Sequence, residues 1–187
     1  MIISALCKYY DILKDEEDDI PSLGYSRIKV SFAVVLSEEG ELLNIVDLRE
    51  KDKKGKVISM PYMIVPEQKG RSGTAPQPYY LCDNCGYVLG LSEKDDGDKK
   101  FREFKKVHSL MLTGLNDPFA TAILKFLDKW EPAKAMENLS VKNMYEELIA
   151  GGNIVFRLDG FMGYANEQAA IKQAYENFPD EGSKQVI

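Results

Sequence analysis

The 187-residue sequence is short of the side chains on which metal sites and nucleophilic catalysis usually depend: it holds three cysteines, one histidine and one tryptophan. So few cysteines, with no export signal, exclude a disulfide scaffold and point to reduced thiols. The opening MIISALCKYY has no basic stretch ahead of a long apolar one, so it is not a signal peptide. No apolar run approaches the ~18 residues that a membrane span needs. The expectation is a cytoplasmic protein with no membrane partner. A Ser-His-Asp or Cys-His centre would have to use His108, and that residue falls within an apolar helical stripe. Phosphate-cradling Gly-x-x-x-x-Gly-Lys loops and His-Glu-x-x-His pairs are also missing. The chain reads as no enzyme and as needing no cofactor. Positive charge is not in excess: 24 Lys and Arg against 30 Asp and Glu give a net charge of −6. Proteins that coat nucleic acid indiscriminately have pI above ~9, and this one has a pI near 5.0.

The chain is otherwise ordinary for a globular domain. Apolar residues make up 44% and charged residues 29%, enough to bury a core and too mixed for disorder or a coiled coil. Charge is sorted along it. Asp15 to Asp19 form an acidic run, whereas Lys51, Lys53, Lys54, Lys56, Lys69 and Arg71 gather between residues 51 and 71. Lys99, Lys100, Arg102, Lys105 and Lys106 form a second basic group. Each run can be a solvated face, or together they can make a positive strip on an acidic body that holds a phosphate backbone. Composition leaves both readings open.

Hydrophobic spacing predicts an amphipathic helix over 2–14, then strands at 28–36, 42–48 and 57–65. Gly40 marks the first turn, and the short turns imply an antiparallel meander. A proline- and glycine-bearing loop over 66–78 follows, of a length uncommon unless it binds something. Segment 79–91 is ambiguous. Phe101, Phe104, His108, Met111 and Leu115 line one helical face. Asp117-Pro118 caps the next helix, which ends before Pro132. A helix over 141–150, a strand over 153–158 and a helix over 166–177 complete the chain. Asp47 with Arg49, and Arg157 with Asp159, read as local ion pairs. The fold class is α/β mixed (α+β): an N-terminal helix and antiparallel sheet, sheet-rich over 1–91, then a helix-rich part over 92–187 with a returning strand.

Cys82-Asp83-Asn84-Cys85-Gly86 has the outline of a zinc knuckle, but a structural site needs four ligands and only Cys7 and His108 remain. A thioredoxin-like role would need a βαβ layout that the strand pattern opposes. The reading taken is two incidental half-buried cysteines. The alternative is a small zinc- or thiol-containing binding module using Cys82 and Cys85. Chemically, the best-equipped segment is Lys69-Gly70-Arg71-Ser72-Gly73-Thr74-Ala75-Pro76. Its cations, hydroxyls and glycine amides suit a phosphate or a base edge; an exposed polar loop is the other reading.

At this loop the sequence resembles a known family, the large subunit of the type I-C CRISPR surveillance complex (Cascade). The likeness is colinear through Tyr9-Tyr10, Ile28 to Leu36, Val46 to Arg49, Val65-Pro66, Lys69 to Gly73 with Pro76, and Asp83-Asn84. It continues through Tyr87 to Gly90, Phe126-Leu127 with Trp130, and Val155 to Gly160. The family's proteins are several times longer, so residues 1–187 look like the N-terminal domain of a longer subunit. The resemblance implies a non-catalytic role. Guide RNA reads the target by pairing, while the protein reads the protospacer-adjacent motif in duplex DNA and helps start unwinding. It implies as partners the guide RNA, the other subunits, target duplex DNA and a helicase–nuclease recruited in trans. Carried over by motif, Lys69 and Arg71 would hold phosphate or guanine edges and Asn84 a base edge, with Ser72 and Gly73 beside them. Lys53, Lys54 and Lys56, chosen on charge, would be backbone contacts.

Overall fold

The computed structural model describes residues 21–178. The helix expected over 2–14, the acidic run and Cys7 therefore lie outside the described residues. The chain is α+β, as its patterning predicts. In order come β1 (Tyr25–Lys29), β2 (Phe32–Leu36), β3 (Leu42–Asp47), β4 (Glu50–Lys51), β5 (Val57–Ser59) and β6 (Tyr62–Pro66). A short helix α1 (Cys85–Val88) precedes α2 (Gly97–Leu112), α3 (Pro118–Lys129) and α4 (Leu139–Ile149). Then β7 (Ile154–Leu158) and α5 (Ala169–Glu176) follow.

The centre is a mixed sheet of order β3-β2-β7, with β2 antiparallel to β3 and parallel to β7. Alternation along these strands sorts their side chains. Phe32, Val34, Leu36, Ile154, Phe156 and Leu158 face the helices in one cluster. Ala33 and Val155 face the opposite way, into a smaller cluster with Val30, Val65 and Cys82. That second cluster is roofed by a two-stranded ribbon of β1 and β6, whose Ile28 and Met63 pack into it.

Two of the expected strands are each broken in two, and no three-strand meander forms. Apolar residues at 28, 30, 32, 34 and 36 suggest one strand, yet Ile28 and Val30 join the smaller cluster while Phe32 joins the larger. The phase slips at Ser31, where the amides of Ser31 and Phe32 both donate to the Asn153 carbonyl at 2.9 and 3.1 Å. The second break is at Pro61, which lacks an amide proton for a ladder. Its carbonyl instead accepts from Val30 N at 3.0 Å. Past β3 the open edge is met by the start of α4, since Asn138 Nδ2 and Ser140 Oγ donate to the carbonyls of Leu42 and Leu43. Parallel β7 takes the other edge of β2.

The helix start expected at Asp117 forms, and α4, expected from 141, begins at Leu139 behind a cap at Asn138 that the sequence reading did not name. Asp117 accepts from Ala120 N at 3.0 Å, and Asn138 accepts from Ser140 N and Val141 N. Gly40 has φ +76, and a Cβ there would lie 2.4 Å from the backbone nitrogen of Phe126. The β2–β3 turn therefore packs directly on the backbone of α3.

Candidate nucleic-acid interface

The segment between β6 and α1 has no regular secondary structure until Cys85, but side chains hold it at its base. The Arg71 guanidinium carbon lies 4.0 Å from the Tyr79 ring centroid and 4.2 Å from that of Tyr87. Arg71 Nε donates to the Gln77 carbonyl at 2.8 Å, and Nη2 pairs with Asp83 Oδ2. Asp83 is 1% exposed and also accepts from the amides of Tyr79 and Asn84, each at 2.8 Å. Burial pushes its carboxyl upward, while Arg71 and the two amides pull it back. The guanidinium is thus gripped on its faces by rings and along its edge by a buried carboxylate.

The rest of the loop follows from that grip. The Gln77 side chain donates to the Ser72 carbonyl at 2.8 Å and accepts from the Ser72 amide at 3.4 Å. Tyr79 Oη donates to the Lys69 carbonyl at 2.5 Å, and Gln77 N donates to Tyr87 Oη at 3.1 Å. Residues 69–75 stand exposed above these anchors. Gly73 has φ +83 with open space around its Cβ position, so the turn needs glycine for its backbone rather than for close packing.

Beneath the loop, His108 is fully buried. Its Nε2 accepts from Leu81 N at 2.9 Å and its Nδ1 meets the Phe104 carbonyl at 2.7 Å. A carbonyl only accepts and an amide only donates, so the ring is neutral with its proton on Nδ1. Burial holds its pKa down at about 4. Leu81, which the ring supports, has φ +59. Asp83 then joins the sheet by an isolated bridge to Ile154. The clamp residues are therefore carried by the central sheet and by α2.

Sequence reasoning named Lys69, Arg71, Ser72, Gly73 and Asn84 without the clamp around Arg71. Tyr79, Tyr87 and Gln77 went unnoticed because no periodicity links them to Arg71. Asn84 caps α1, its Oδ1 accepting from Gly86 N at 3.0 Å, and its Nδ2 makes no hydrogen bond among the described residues. It lines a cleft of about 530 Å³ with Lys94, Lys100 and Gly151 to Asn153.

Lys53, Lys54 and Lys56 sit on the turn joining β4 to β5. Asp52 Oδ1 accepts from the amides of Lys54 and Lys56 at 2.8 and 2.9 Å, and Gly55 takes φ +81. All three lysines are exposed, and none forms an ion pair among the described residues. The basic group on α2 is different. Lys100, Arg102, Lys105 and Lys106 pair with Asp96, Asp98, Asp128 and Glu103. That run is a solvated face with four of its five cations paired, Lys99 standing exposed and without an ion pair among the described residues. Arg49 pairs with Asp47 as read, and with Glu147. Arg157 instead lies over the Tyr164 ring at 5.7 Å.

The cysteines are more buried than the half-buried pair expected. Cys82 is 0% and Cys85 6% exposed. Cys82 packs in the smaller cluster and Cys85 in the larger, so the two do not face one point. Cys85 Sγ donates to the Leu148 carbonyl at 3.1 Å. Burial pushes the Cys85 thiol up to about 11 and the Cys82 thiol further, which keeps both protonated and poor metal ligands. His108, the remaining candidate among the described residues, has both nitrogens engaged. Among the described residues no His, Cys, Asp and Glu cluster has the numbers to hold a metal ion. Among the described residues, the zinc- or thiol-module alternative has no geometric support.

A family model described as CRISPR-associated protein (Cas_Csd1) matches residues 6–186. No curated protein matches the chain. Among the described residues, no helix is long and apolar enough to cross a membrane.

Proposed function

The chain belongs to the CRISPR-associated Csd1 family, and on that footing we propose that it acts without catalysis in a type I-C RNA-guided surveillance complex. Its 67–78 loop meets the protospacer-adjacent motif in duplex DNA and helps start unwinding, while guide RNA supplies target sequence by pairing. The guide RNA, the complex's other subunits and a helicase–nuclease acting in trans are its partners in this reading. The observation that carries it is the Arg71 clamp. A loop whose base is locked by Tyr79, Tyr87, Asp83 and Gln77 presents Lys69, Ser72 and Gly73 with little ordering left to do on binding. Lys69 supplies charge to a phosphate, and the Ser72 hydroxyl and Gly73 amide supply short donors. Arg71, held on several sides, positions these groups. Asn84, whose amide NH₂ makes no hydrogen bond among the described residues, offers it to a base edge from the rim of the neighbouring cleft.

The test is duplex binding by the reconstituted complex, with the motif present or scrambled. Arg71→Ala is expected to weaken binding of the motif duplex, because the unlocked loop must then be ordered on binding, and Arg71→Lys to fail to restore it, because an ammonium cannot fill a planar stacked slot. Ser72→Ala and Lys69→Ala should cost less. Unchanged motif selectivity in Arg71→Ala would remove the loop from recognition.

A further inference from the structure

Beside the 67–78 loop lies a cleft of about 570 Å³ walled by aromatic rings and carboxylates from distant segments. Tyr25 opens β1, Tyr79 follows the loop, Tyr175 stands in the last turn of α5 and Phe178 lies just beyond it. Tyr175 joins these segments. Its phenol donates to the Gly24 carbonyl at 2.9 Å and accepts from the Glu67 amide at 3.2 Å, and its ring meets that of Tyr25 edge-on at 5.6 Å. The end of α5 is thereby fixed against the β1–β6 ribbon, so the cleft is preformed.

The charge on this wall is negative. Glu67 and Glu176 both line it and both are exposed. Lys69 engages Glu67 at 3.6 Å. Glu176 accepts from Tyr25 Oη at 2.9 Å, an uncharged donor, and has no ion pair among the described residues. The last turn of α5 carries no basic side chain, and the carbonyl end of a helix favours a cation. The chain itself shows what such a set of groups holds. The Arg71 guanidinium lies against Tyr79 and Tyr87 with the Asp83 carboxylate at its edge. The cleft repeats that chemistry, shares Tyr79 with it, and is lined by no arginine among the described residues. At its mouth Leu23 is 98% and Phe178 37% exposed, apolar surface that a small cation leaves wet and a polypeptide covers.

We propose that this cleft docks a partner polypeptide by taking one of its arginine side chains. The guanidinium stacks on the tyrosine rings and pairs with Glu176, while apolar residues beside that arginine cover Leu23 and Phe178. A planar guanidinium suits the site better than an ammonium, because it stacks and offers its donors in a fixed fork. The two carboxylates repel phosphate, so the occupant is protein and not nucleic acid. Docking here does not depend on what the 67–78 loop reads, and a test without DNA lets either reading fail without the other.

The test is titration of the full chain, followed by the tyrosine ring signals in NMR spectra. The probes are the blocked peptide Gly-Leu-Arg-Leu-Gly, its counterparts with citrulline or lysine in place of arginine, and spermidine. The arginine peptide is expected to shift the ring signals saturably, and the citrulline peptide, of the same shape without the charge, to bind about tenfold weaker or less. The lysine peptide should fall between them. Glu176→Gln, an isosteric change at an exposed position, should weaken the arginine peptide about fivefold or more. Tyr25→Phe keeps the ring and should bind within about twofold of the parent, whereas Tyr25→Leu should lose most of the affinity. No saturable shift in the parent, equal binding of the citrulline peptide, or unchanged affinity in Glu176→Gln would overturn the proposal. Spermidine binding more tightly than the arginine peptide would also overturn it, by making the cleft a site for a free polyamine.

Discussion

His108 shows how one residue serves a site that it does not touch. The neutral imidazole holds the Leu81 amide, and Leu81 occupies a left-handed backbone conformation that a β- or γ-branched side chain enters only at a cost. That conformation turns the chain between Tyr79, which stacks on Arg71, and Asp83, which pairs with it. Protonating the ring would take away the acceptor for Leu81 N and bury a charge. The folded-state pKa of about 4 lies below the ordinary 6.5, so the unfolded chain binds more protons between those values. The contribution to stability is complete above pH 6.5 and is lost as pH falls towards 4. The shift corresponds to about 3 kcal/mol. A thermal midpoint that drops over this range in the parent, and drops less in His108→Gln, is the expected outcome. Equal drops would assign the acid sensitivity to other groups. The sequence placed His108 on a buried helical face through the spacing of Phe101, Phe104 and Met111, and there the reading held. Its bond to Leu81 was not legible, because nothing in a linear pattern shows which distant amide a buried ring will meet.

At the level of elements, caps and turns were legible and strand continuity was not. Asp117-Pro118 and Gly40 act where they stand, since each works through its own backbone or the next few residues. Strand 28–36 was misread because its alternation is unbroken in sequence while the chain moves from the ribbon to the central sheet at Ser31. The periodicity of apolar residues says that a face is buried, not which neighbour buries it. The cap at Asn138 does more than its local pattern suggests. Its Oδ1 takes two amides at the start of α4, and its Nδ2 reaches the Leu42 carbonyl on the edge of β3. Asn138→Ala should therefore destabilise the chain by about 1–2 kcal/mol, at the upper end for a cap, as read by the midpoint of denaturant unfolding. Asn138→Asp keeps the cap and loses the edge contact, and should fall between the two. A full loss in Asn138→Asp would put the whole effect on β3.

For the molecule as a whole, charge placement matters more than net charge. The acidic total is compatible with binding a polyanion because all the cations on α2 but Lys99 are paired off, while the β4–β5 turn keeps its lysines uncompensated among the described residues. Replacing Lys53, Lys54 and Lys56 together by alanine should weaken motif-bearing and scrambled duplexes alike. It should also lower the slope of log affinity against log salt by about one for each phosphate contact removed. Loss on the motif duplex alone would instead make the turn a sequence reader. The sequence located this turn by composition and the 67–78 loop by motif. Their supports, a stacked arginine and a ribbon laid across a sheet, depend on contacts between distant segments and were not legible in it.

The parallel pairing of β2 with β7 has a consequence in time. Phe32 lies beside Ile154, so the central sheet closes only after a strand far along the chain from β2 has been made. Until Ile154 to Leu158 emerge, β2 has a bare apolar edge, and Asp83 has no strand to bridge to. Contacts so distant along the chain slow folding and prolong exposure of such edges. A nascent chain stalled after α4 would lack the support that seats Arg71, and would be a substrate for chaperones.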